Sequence, residues 1–331
     1  MLTPVGDEIV RELERLNNGQ YSPSQIFDDW LRLTHIALKS LPDFIRWQVQ
    51  GVPYIDSPED QGFFAELETQ FPKSKWDHFT KAFQTLLEST EHGYYDTLGE
   101  IFMAWGNPNK RSGQFFTPMP VARMMAEVQD IPGLLYQRLK EAGEGDPAVQ
   151  AISLAGMLIR DPEKQFDFFL TRMLPLLAPK IKPIYVLDPA VGSGVMLLAA
   201  AATSPRWALD CGLIQFYGID IDALACRMAE CNLMLYGLNG FGIKCANELK
   251  GADLNALAGP YRQQYQAALQ AGPEELIDIQ NELRSMQPSD GRLLLFDQAT
   301  FGSCFRPDAR PKALRPKTAK LDPKKGQLSF L

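Results

Sequence analysis

The sequence predicts an α/β protein in which a helical N-terminal region precedes a doubly wound, mostly parallel β-sheet. Apolar residues recur at helical spacing through residues 1–110 and again through 120–180. From residue 184 onward, short β-branched apolar runs alternate with helical patterns. Such alternation favours right-handed crossovers between parallel strands. We therefore expect a helical domain over residues 1–110 and an α/β domain over residues 111–305, with a helical insert at about 130–180.

The α/β region begins with three strand patterns and two helical patterns, which alternate at residues 184–188, 194–203, 214–220, 223–236 and 241–246. Gly237 is placed to end the second helix. Between the earlier helices, breaks are expected at Pro132-Gly133 and near residues 143–147. Beyond residue 250 the pattern weakens to one or two amphipathic helices within 253–286 and one strand at 291–296, so the predicted sheet is truncated.

The composition is that of a soluble globular protein, with 45% hydrophobic and 22% charged residues in a chain of 331. No apolar run is long enough to span a bilayer, and the N-terminus lacks the basic start and apolar stretch of a signal peptide. The five cysteines show no Cys-x-x-Cys spacing, which predicts reduced thiols and neither disulfides nor a metal site. We therefore expect a cytoplasmic protein with no membrane partner.

The net charge of −7 is distributed unevenly along the chain. Residues 306–325 hold eight basic and two acidic residues, a net charge of +6, which leaves −13 for the rest of the chain. Prolines recur in this segment, so we expect a disordered basic tail over residues 306–331. The acidic body argues against holding DNA by bulk electrostatics, whereas the tail predicts a salt-sensitive attraction to phosphates.

A glycine-containing run, Asp-Pro-Ala-Val-Gly-Ser-Gly, joins the first strand to its helix at residues 188–194. Gly192 and Gly194 let a ligand approach the backbone, and the following helix offers free N–H groups to an anion. A dinucleotide site wants a third glycine where Leu197 stands. The carboxylate and ammonium groups of a methionine fit better, because Asp188 can face the cation. A tight turn without any ligand is the alternative.

Polar residues also end the next two strands. Asp220 ends the second strand, where a carboxylate can accept hydrogen bonds from both hydroxyls of a ribose. Alternatively, Asp220 caps the following helix and Asp222 lies in its first turn. Asn247 follows the third strand, where it can hydrogen-bond an adenine edge or simply form a turn. Methionine, ribose and adenine together make up S-adenosylmethionine (SAM), which is the predicted cofactor.

Short stretches in order along the chain resemble N6-adenine DNA methyltransferases, in particular the M subunits of type I restriction-modification systems. Residues 96–102 are similar to the family's lead-in, and residues 113–118 to the Gly-Gln-Phe-Phe-Thr-Pro segment that opens its catalytic domain. Residues 188–194 resemble its Asp-Pro-Ala-Cys-Gly-Ser-Gly loop, with valine in place of cysteine. Residues 218–222 resemble its ribose-binding strand end, and residues 246–249 a diverged Gly-Asn-Ser-Leu adenine contact.

The resemblance implies that the α/β region is a Rossmann-like SAM-dependent methyltransferase core. It implies DNA as the substrate and a specificity or other subunit as a further partner. The candidate cofactor-binding residues are Phe115, Phe116, Thr117, Pro118, Asp188, Pro189, Gly192, Gly194, Asp220 and Asn247. The two phenylalanines could instead be ordinary core residues.

The catalytic motif expected from this resemblance is not found in recognisable form. In the family, an Asn or Asp followed by Pro-Pro and Tyr or Phe holds the flipped adenine. After Asn247, only Asp297 and Phe301 keep an acid and an aromatic residue near a predicted strand. The Asn-Pro-Asn run at residues 107–109 would suit a circularly permuted enzyme, but it lacks the second proline and is interpreted as a loop.

The sequence therefore predicts a SAM-binding, DNA adenine-N6 methyltransferase-like protein. Because the catalytic motif is missing, a catalytically inactive accessory or regulatory relative is the alternative. Methyl transfer to RNA or protein is a third interpretation.

The end of the chain suggests one more partner. Gln327, Leu328, Phe330 and Leu331 resemble the short peptide with which bacterial proteins dock on the replication sliding clamp, although the final pair is reversed. A glutamine can hydrogen-bond at the edge of a groove while the three apolar side chains fill a pocket. Alternatively, the tail folds back onto the protein or simply tapers off.

Overall fold

A computed structural model describes residues 2–17, 19–51, 53, 55–106, 116–238 and 243–245. The N-terminal part is helical, as the periodicity predicts, with α1 (Pro4–Glu14), α2 (Pro23–Gln50), α3 (Pro58–Gln70), α4 (Trp76–Ser89) and α5 (Thr97–Ile101). The first three helices begin with a proline after Thr3, Ser22 or Ser57, whose hydroxyl accepts a hydrogen bond from a first-turn amide. A hydroxyl cap followed by proline is a favoured helix start, because proline has no N–H to leave unpaired.

The middle of the chain adds further helices, α6 (Met119–Gln129), α7 (Ile131–Gly143), α8 (Pro147–Met157), α9 (Pro162–Phe168) and α10 (Leu174–Leu177). The expected break near residues 143–147 is confirmed. The break expected at Pro132-Gly133 is wrong, because both residues lie in the first turn of α7. The chain turns instead at Asp130, which has a φ of 43° and caps α7 through the amide of Gly133 at 3.1 Å. Aspartate tolerates this left-handed conformation better than most residues.

A small parallel sheet follows, formed by β1 (Ile184–Asp188), β2 (Ile214–Asp220) and β3 (Ile243–Cys245) in the order β1-β2-β3. Helices α11 (Val195–Thr203) and α12 (Arg206–Asp210) connect β1 to β2, and α13 (Ala223–Leu235) connects β2 to β3. Both longer strands have the predicted bounds, and Gly237 follows α13 in a left-handed conformation. The described chain is therefore mostly helical with a small parallel sheet, and the predicted elements at 253–286 and 291–296 lie outside the described residues.

In the described part of the chain, the buried apolar residues form two clusters. One surrounds the sheet, where α6 packs on α11 through small residues such as Ala122 and Ala126. The other lies among the N-terminal helices and includes Trp30 of α2 and Met228 of α13. Helix α13 contributes to both clusters, so it joins the N-terminal helices to the sheet and brings α5 close to the carboxyl end of β1. No helix in the described part of the chain has the length and apolar character needed to cross a membrane.

Candidate functional site

The predicted loop lies across the carboxyl ends of β1 and β2. The two strands are parallel neighbours, with Asp188 paired to Gly218, so Asp188 and Asp220 lie at the same edge of the sheet. The amide of Val191 donates to the carbonyl of Ile219 at 2.9 Å. The amide of Gly192 donates to Oδ2 of Asp220, also at 2.9 Å. These two bonds fasten the loop after β1 to the end of β2, where parallel sheets commonly bind ligands.

Glycine is required at both predicted loop positions. Gly192 has a φ of 52° and Gly194 a φ of 89°, and residues other than glycine are strained in this left-handed region. A Cβ atom added at Gly194 would lie 3.3 Å from the Cα of Ala229 on α13. One added at Gly218 would lie 2.6 Å from the Val191 side chain. The close approach of loop, strand and helix therefore depends on all three glycines.

Helix α11 begins directly after the loop, with Gly194 as its N-cap residue and no side-chain cap. The first amides of an α-helix have no partner within the helix, and together with the helix dipole they favour a negatively charged group. The loop thus ends at a place where a ligand carboxylate can accept hydrogen bonds from backbone amides.

The carboxylates of Asp188 and Asp220 are held by backbone amides. Burial raises the pKa of Asp188, the negative charge of Asp220 raises it further, and a hydrogen bond from the Ala190 amide at 3.0 Å opposes both effects. Asp220 accepts from the Gly192 amide on one oxygen and from the Asp222 amide on the other, the latter at 3.0 Å. Each carboxylate oxygen can accept a second hydrogen bond, so Asp220 retains acceptor capacity for hydroxyl groups.

The alternative role for Asp220 as a helix cap is wrong. The N-cap residue of α13 is Asp222, whose side chain accepts from the Leu224 amide at 2.9 Å. Asp220 instead belongs to β2 and to the loop contacts described above.

An aromatic side chain covers the first glycine. A Cβ atom added at Gly192 would lie 3.0 Å from the Phe116 ring, which also stacks on Phe102 with ring centroids 5.6 Å apart. Phe116 packs against the N-terminal apolar cluster, so both the core interpretation and a place beside the loop apply to it. Of its neighbours, Thr117 is half-buried, and exposed Pro118 precedes α6.

Residues 169–258 match the family model of the N-6 DNA methylases. This part of the chain is similar to the N-6 DNA methylases. The match spans β1, the loop, β2, α13 and β3, and it covers about a quarter of the chain. It confirms the family that the sequence motifs resemble. No curated protein and no solved structure matches the chain significantly.

The predicted site residues fall into three groups relative to this N-6 DNA methylase segment. The loop and strand-end residues that the structure brings together are Asp188, Gly192, Gly194 and Asp220, with Phe116 beside them. Thr117, Pro118 and Pro189 are also described, with Pro189 exposed on the loop and Thr117 and Pro118 between Phe116 and α6. Those that lie outside the described residues are Phe115, Asn247, Asp297, Phe301 and the four C-terminal residues Gln327, Leu328, Phe330 and Leu331.

Three buried polar residues in and behind the loop are not among the predicted site residues. Asp96, Ser193 and Asn232 form a hydrogen-bonded group behind the loop. Asp96 opens the lead-in stretch at residues 96–102, so the resemblance of that stretch could have identified it. Asn232 lies within α13, and no local pattern marks it, because its partner Asp96 is 136 positions away.

Proposed function

We propose that the chain binds SAM at the loop between β1 and α11 and acts as a DNA adenine-N6 methyltransferase-like protein. The proposal includes a doubly wound Rossmann-like core, of which the three strands are a part. The observation that carries it is the hydrogen bond from Gly192 to Asp220, because it joins the glycine loop that leads into the N-terminus of α11 to the carboxylate at the end of β2. The N-6 DNA methylase match over the same residues supports the choice of ligand and reaction.

The groups of SAM fit the chemistry of these residues. Its carboxylate suits the first amides of α11, and its ammonium group suits Asp188, whose charge is disfavoured by burial and by Asp220. A cation near the two aspartates would relieve this repulsion. The ribose hydroxyls suit the free lone pairs of Asp220. An NAD dinucleotide fits less well, since Leu197 stands where a dinucleotide site needs its third glycine and Asp188 would face the negative pyrophosphate.

When bound, SAM supplies an electrophilic methyl group on a sulfonium centre. The part of the chain described by the structure binds and orients the cofactor through the loop, α11 and Asp220. For the target, we propose Asp297 as the acceptor for the adenine amine and Phe301 as the ring on which a flipped base stacks. Because their motif is strongly diverged, we expect the isolated chain to transfer methyl groups poorly.

The proposed partners follow from the sequence. The basic residues of 306–325 would attract DNA phosphates with a marked salt dependence. Because the sequence motifs resemble those of type I M subunits, a specificity or other subunit is the proposed source of sequence recognition. The C-terminal peptide is proposed to dock on a sliding clamp in the cytoplasm.

A radiolabelled methyl-transfer assay on mixed DNA tests the reaction, with SAM binding measured in parallel. We expect SAM binding with weak transfer to DNA, and loss of that transfer in Asp297→Ala and Phe301→Ala while SAM binding stays. SAM binding with no transfer to DNA would identify a non-catalytic relative. Label in RNA or protein would support the third interpretation. Robust N6-methyladenine formation would contradict the expected weak activity.

A further inference from the structure

We infer that Asp96 is a positioning residue that holds the cofactor loop in its binding conformation from outside the N-6 DNA methylase match. Asp96 precedes α5, whereas the loop it contacts lies about a hundred positions later. The inference deepens the proposed function, because it assigns a control over SAM affinity to the N-terminal helical region. The expected effect of Asp96 on SAM affinity rests on the proposed function, whereas the effect of Asp96 on the loop conformation does not.

The contact between Asp96 and the loop is direct and fully buried. The hydroxyl of Ser193, the residue between the two loop glycines, donates to Oδ2 of Asp96. The amide of Asn232 bridges the pair, donating to Oδ1 of Asp96 and to the carbonyl of Ser193, both at 2.8 Å. Relative exposures of 7%, 0% and 1% for Asp96, Ser193 and Asn232 exclude bulk water from the group.

Among the described residues, each hydrogen bond to the Asp96 carboxyl group is donated by its partner. Oδ1 also accepts from the Gly99 amide at 2.9 Å, so Asp96 caps α5 as well. Burial raises the pKa of Asp96, and hydrogen bonds from Ser193, Gly99 and Asn232 oppose that rise. Within the described residues, Asp96 forms no salt bridge. A buried carboxyl without an ionic partner is costly, which makes an incidental contact a poor explanation for it.

Gly99 provides the space that the contact needs. A Cβ atom at Gly99 would lie 2.1 Å from Oδ2 of Asp96 and 2.6 Å from Oγ of Ser193, so any larger residue would push the two side chains apart. The lead-in motif thus contributes both the acceptor and the gap through which it reaches the loop.

The segment that carries Asp96 is itself fixed on both sides. The Tyr236 hydroxyl accepts from the Tyr95 amide at 2.9 Å and donates to its carbonyl at 3.0 Å. On the other side, Glu100 accepts from the amide and hydroxyl of Thr3 at 2.6 and 2.9 Å. Asp96 therefore projects from a rigid base, as a positioning group must.

The position of Ser193 explains why this matters for the ligand. Both neighbouring glycines are in left-handed conformations, which an unrestrained loop would leave readily. Contacts from Val191 and Gly192 to β2 hold one side of the loop, and the Asp96 group holds the opposite side. With both sides fixed, the loop is preorganised, and binding does not have to order it.

Hydrogen–deuterium exchange of the full chain without ligand tests the inference independently of SAM. We expect Asp96→Ala and Ser193→Ala each to speed exchange in peptides covering 189–198 by about ten-fold, and the double variant to add little to Asp96→Ala. Peptides in α8 should be unchanged. Asp96→Asn should behave like the wild type, because its carbonyl can keep both Oδ1 bonds and its amide can donate to Ser193. Asp161→Ala, which removes the cap of α9, is the matched control.

Calorimetric titration with SAM gives the second readout. We expect affinity to fall about ten-fold in Asp96→Ala and Ser193→Ala and within about three-fold of wild type in Asp96→Asn and Asp161→Ala. Unchanged loop exchange in Ser193→Ala and Asp96→Ala, with only α5 peptides affected, would reduce Asp96 to a helix cap and overturn the inference. Wild-type protein that fails to bind SAM would remove the proposed function, while the exchange result would still decide the role of Asp96. If Asp96→Ala does not fold, Ser193→Ala carries both measurements.

Discussion

Acidic side chains that lie between helices and acidic side chains at the strand ends have opposite environments. Between the helices, Glu12 accepts from His78 at 2.8 Å, and this contact is the main cause that lowers the pKa of Glu12. Glu230 on α13 similarly lies 2.6 Å from His35 on α2. At the strand ends, Asp188 and Asp220 are held by backbone amides, and the pKa of Asp188 is raised. In the described part of the chain, neither aspartate forms a salt bridge.

Under the proposed function, this difference separates acids that stabilise the fold from acids that bind a ligand. A paired acid contributes to stability, whereas two neighbouring acids without a cation cost stability and are suited to a positively charged ligand. A raised pKa alone does not identify such a site. Burial also raises the pKa of Asp29 to about 6, but Asp29 lies inside the long helix α2 and not at a strand end. At the strand ends, the raised pKa coincides with left-handed glycines and a helix N-terminus.

The largest effect is expected from crowding the loop. Gly194→Val should lower the free energy of unfolding by about 2–4 kcal/mol, because it adds left-handed strain and a clash with Ala229. Gly145→Ala is the control, since Gly145 is also left-handed but a Cβ atom there meets nothing within 4 Å, and it should cost only about 1 kcal/mol. Equal losses in the two variants, measured by urea unfolding, would show that the loop is not tightly packed.

Removing an acid at a strand end should weaken SAM binding more than it destabilises the fold. Asp220→Ala should reduce SAM affinity by on the order of 1.5–3 kcal/mol, because a charged acceptor and the anchor of Gly192 are lost together. Asp222→Ala is the matched control, since it removes the cap of α13, costs about 1 kcal/mol of stability and leaves the loop anchor in place. Calorimetry and urea unfolding on both variants separate the two roles. Similar losses of SAM affinity in the two variants would contradict the distinction between acids that bind the ligand and acids that only stabilise the fold.

The raised pKa of Asp29 on α2 should make the free energy of unfolding depend on pH. The pKa of Asp29 is raised from 3.8 to about 6 by burial and then by repulsion from Asp28. Because its folded pKa lies above its unfolded value, its stabilising contribution is complete below pH 3.8 and is lost as the pH rises through about 6. The stability of Asp29→Asn relative to wild type should therefore rise by about 1–2 kcal/mol between acidic and neutral pH. If urea unfolding shows the same difference in free energy between the variant and the wild type at every pH, the raised pKa of Asp29 is refuted.

The paired acids should give the smallest effect. The side chains of His35 and Glu230 are 20% and 29% exposed, so water competes for the contact between them. Glu230→Gln should cost less than about 1 kcal/mol, because the amide can still hydrogen-bond the ring. A double-mutant cycle with His35→Ala measures the coupling. A coupling well above about 1 kcal/mol would mean that the pair carries far more of the fold than its exposure suggests.

The local parts of the fold could be predicted from the sequence, and the long-range parts could not. The bounds of β1 and β2 and the glycines of the loop follow from apolar runs and turn residues, which are short-range signals. The cap of α13 was ambiguous, because Asp220 and Asp222 both suit a helix start and only the packing of the loop distinguishes them. The partnership of Asp96 with Asn232 has no sequence signal, since it depends on how α5 and α13 meet.

Titration of the wild-type chain with SAM and, separately, with NAD tests the central claim most directly. We expect saturable SAM binding and much weaker NAD binding, because Asp188 suits an ammonium group and Leu197 replaces the third glycine of a dinucleotide site. No SAM binding at millimolar ligand, or equal affinity for NAD, would contradict it.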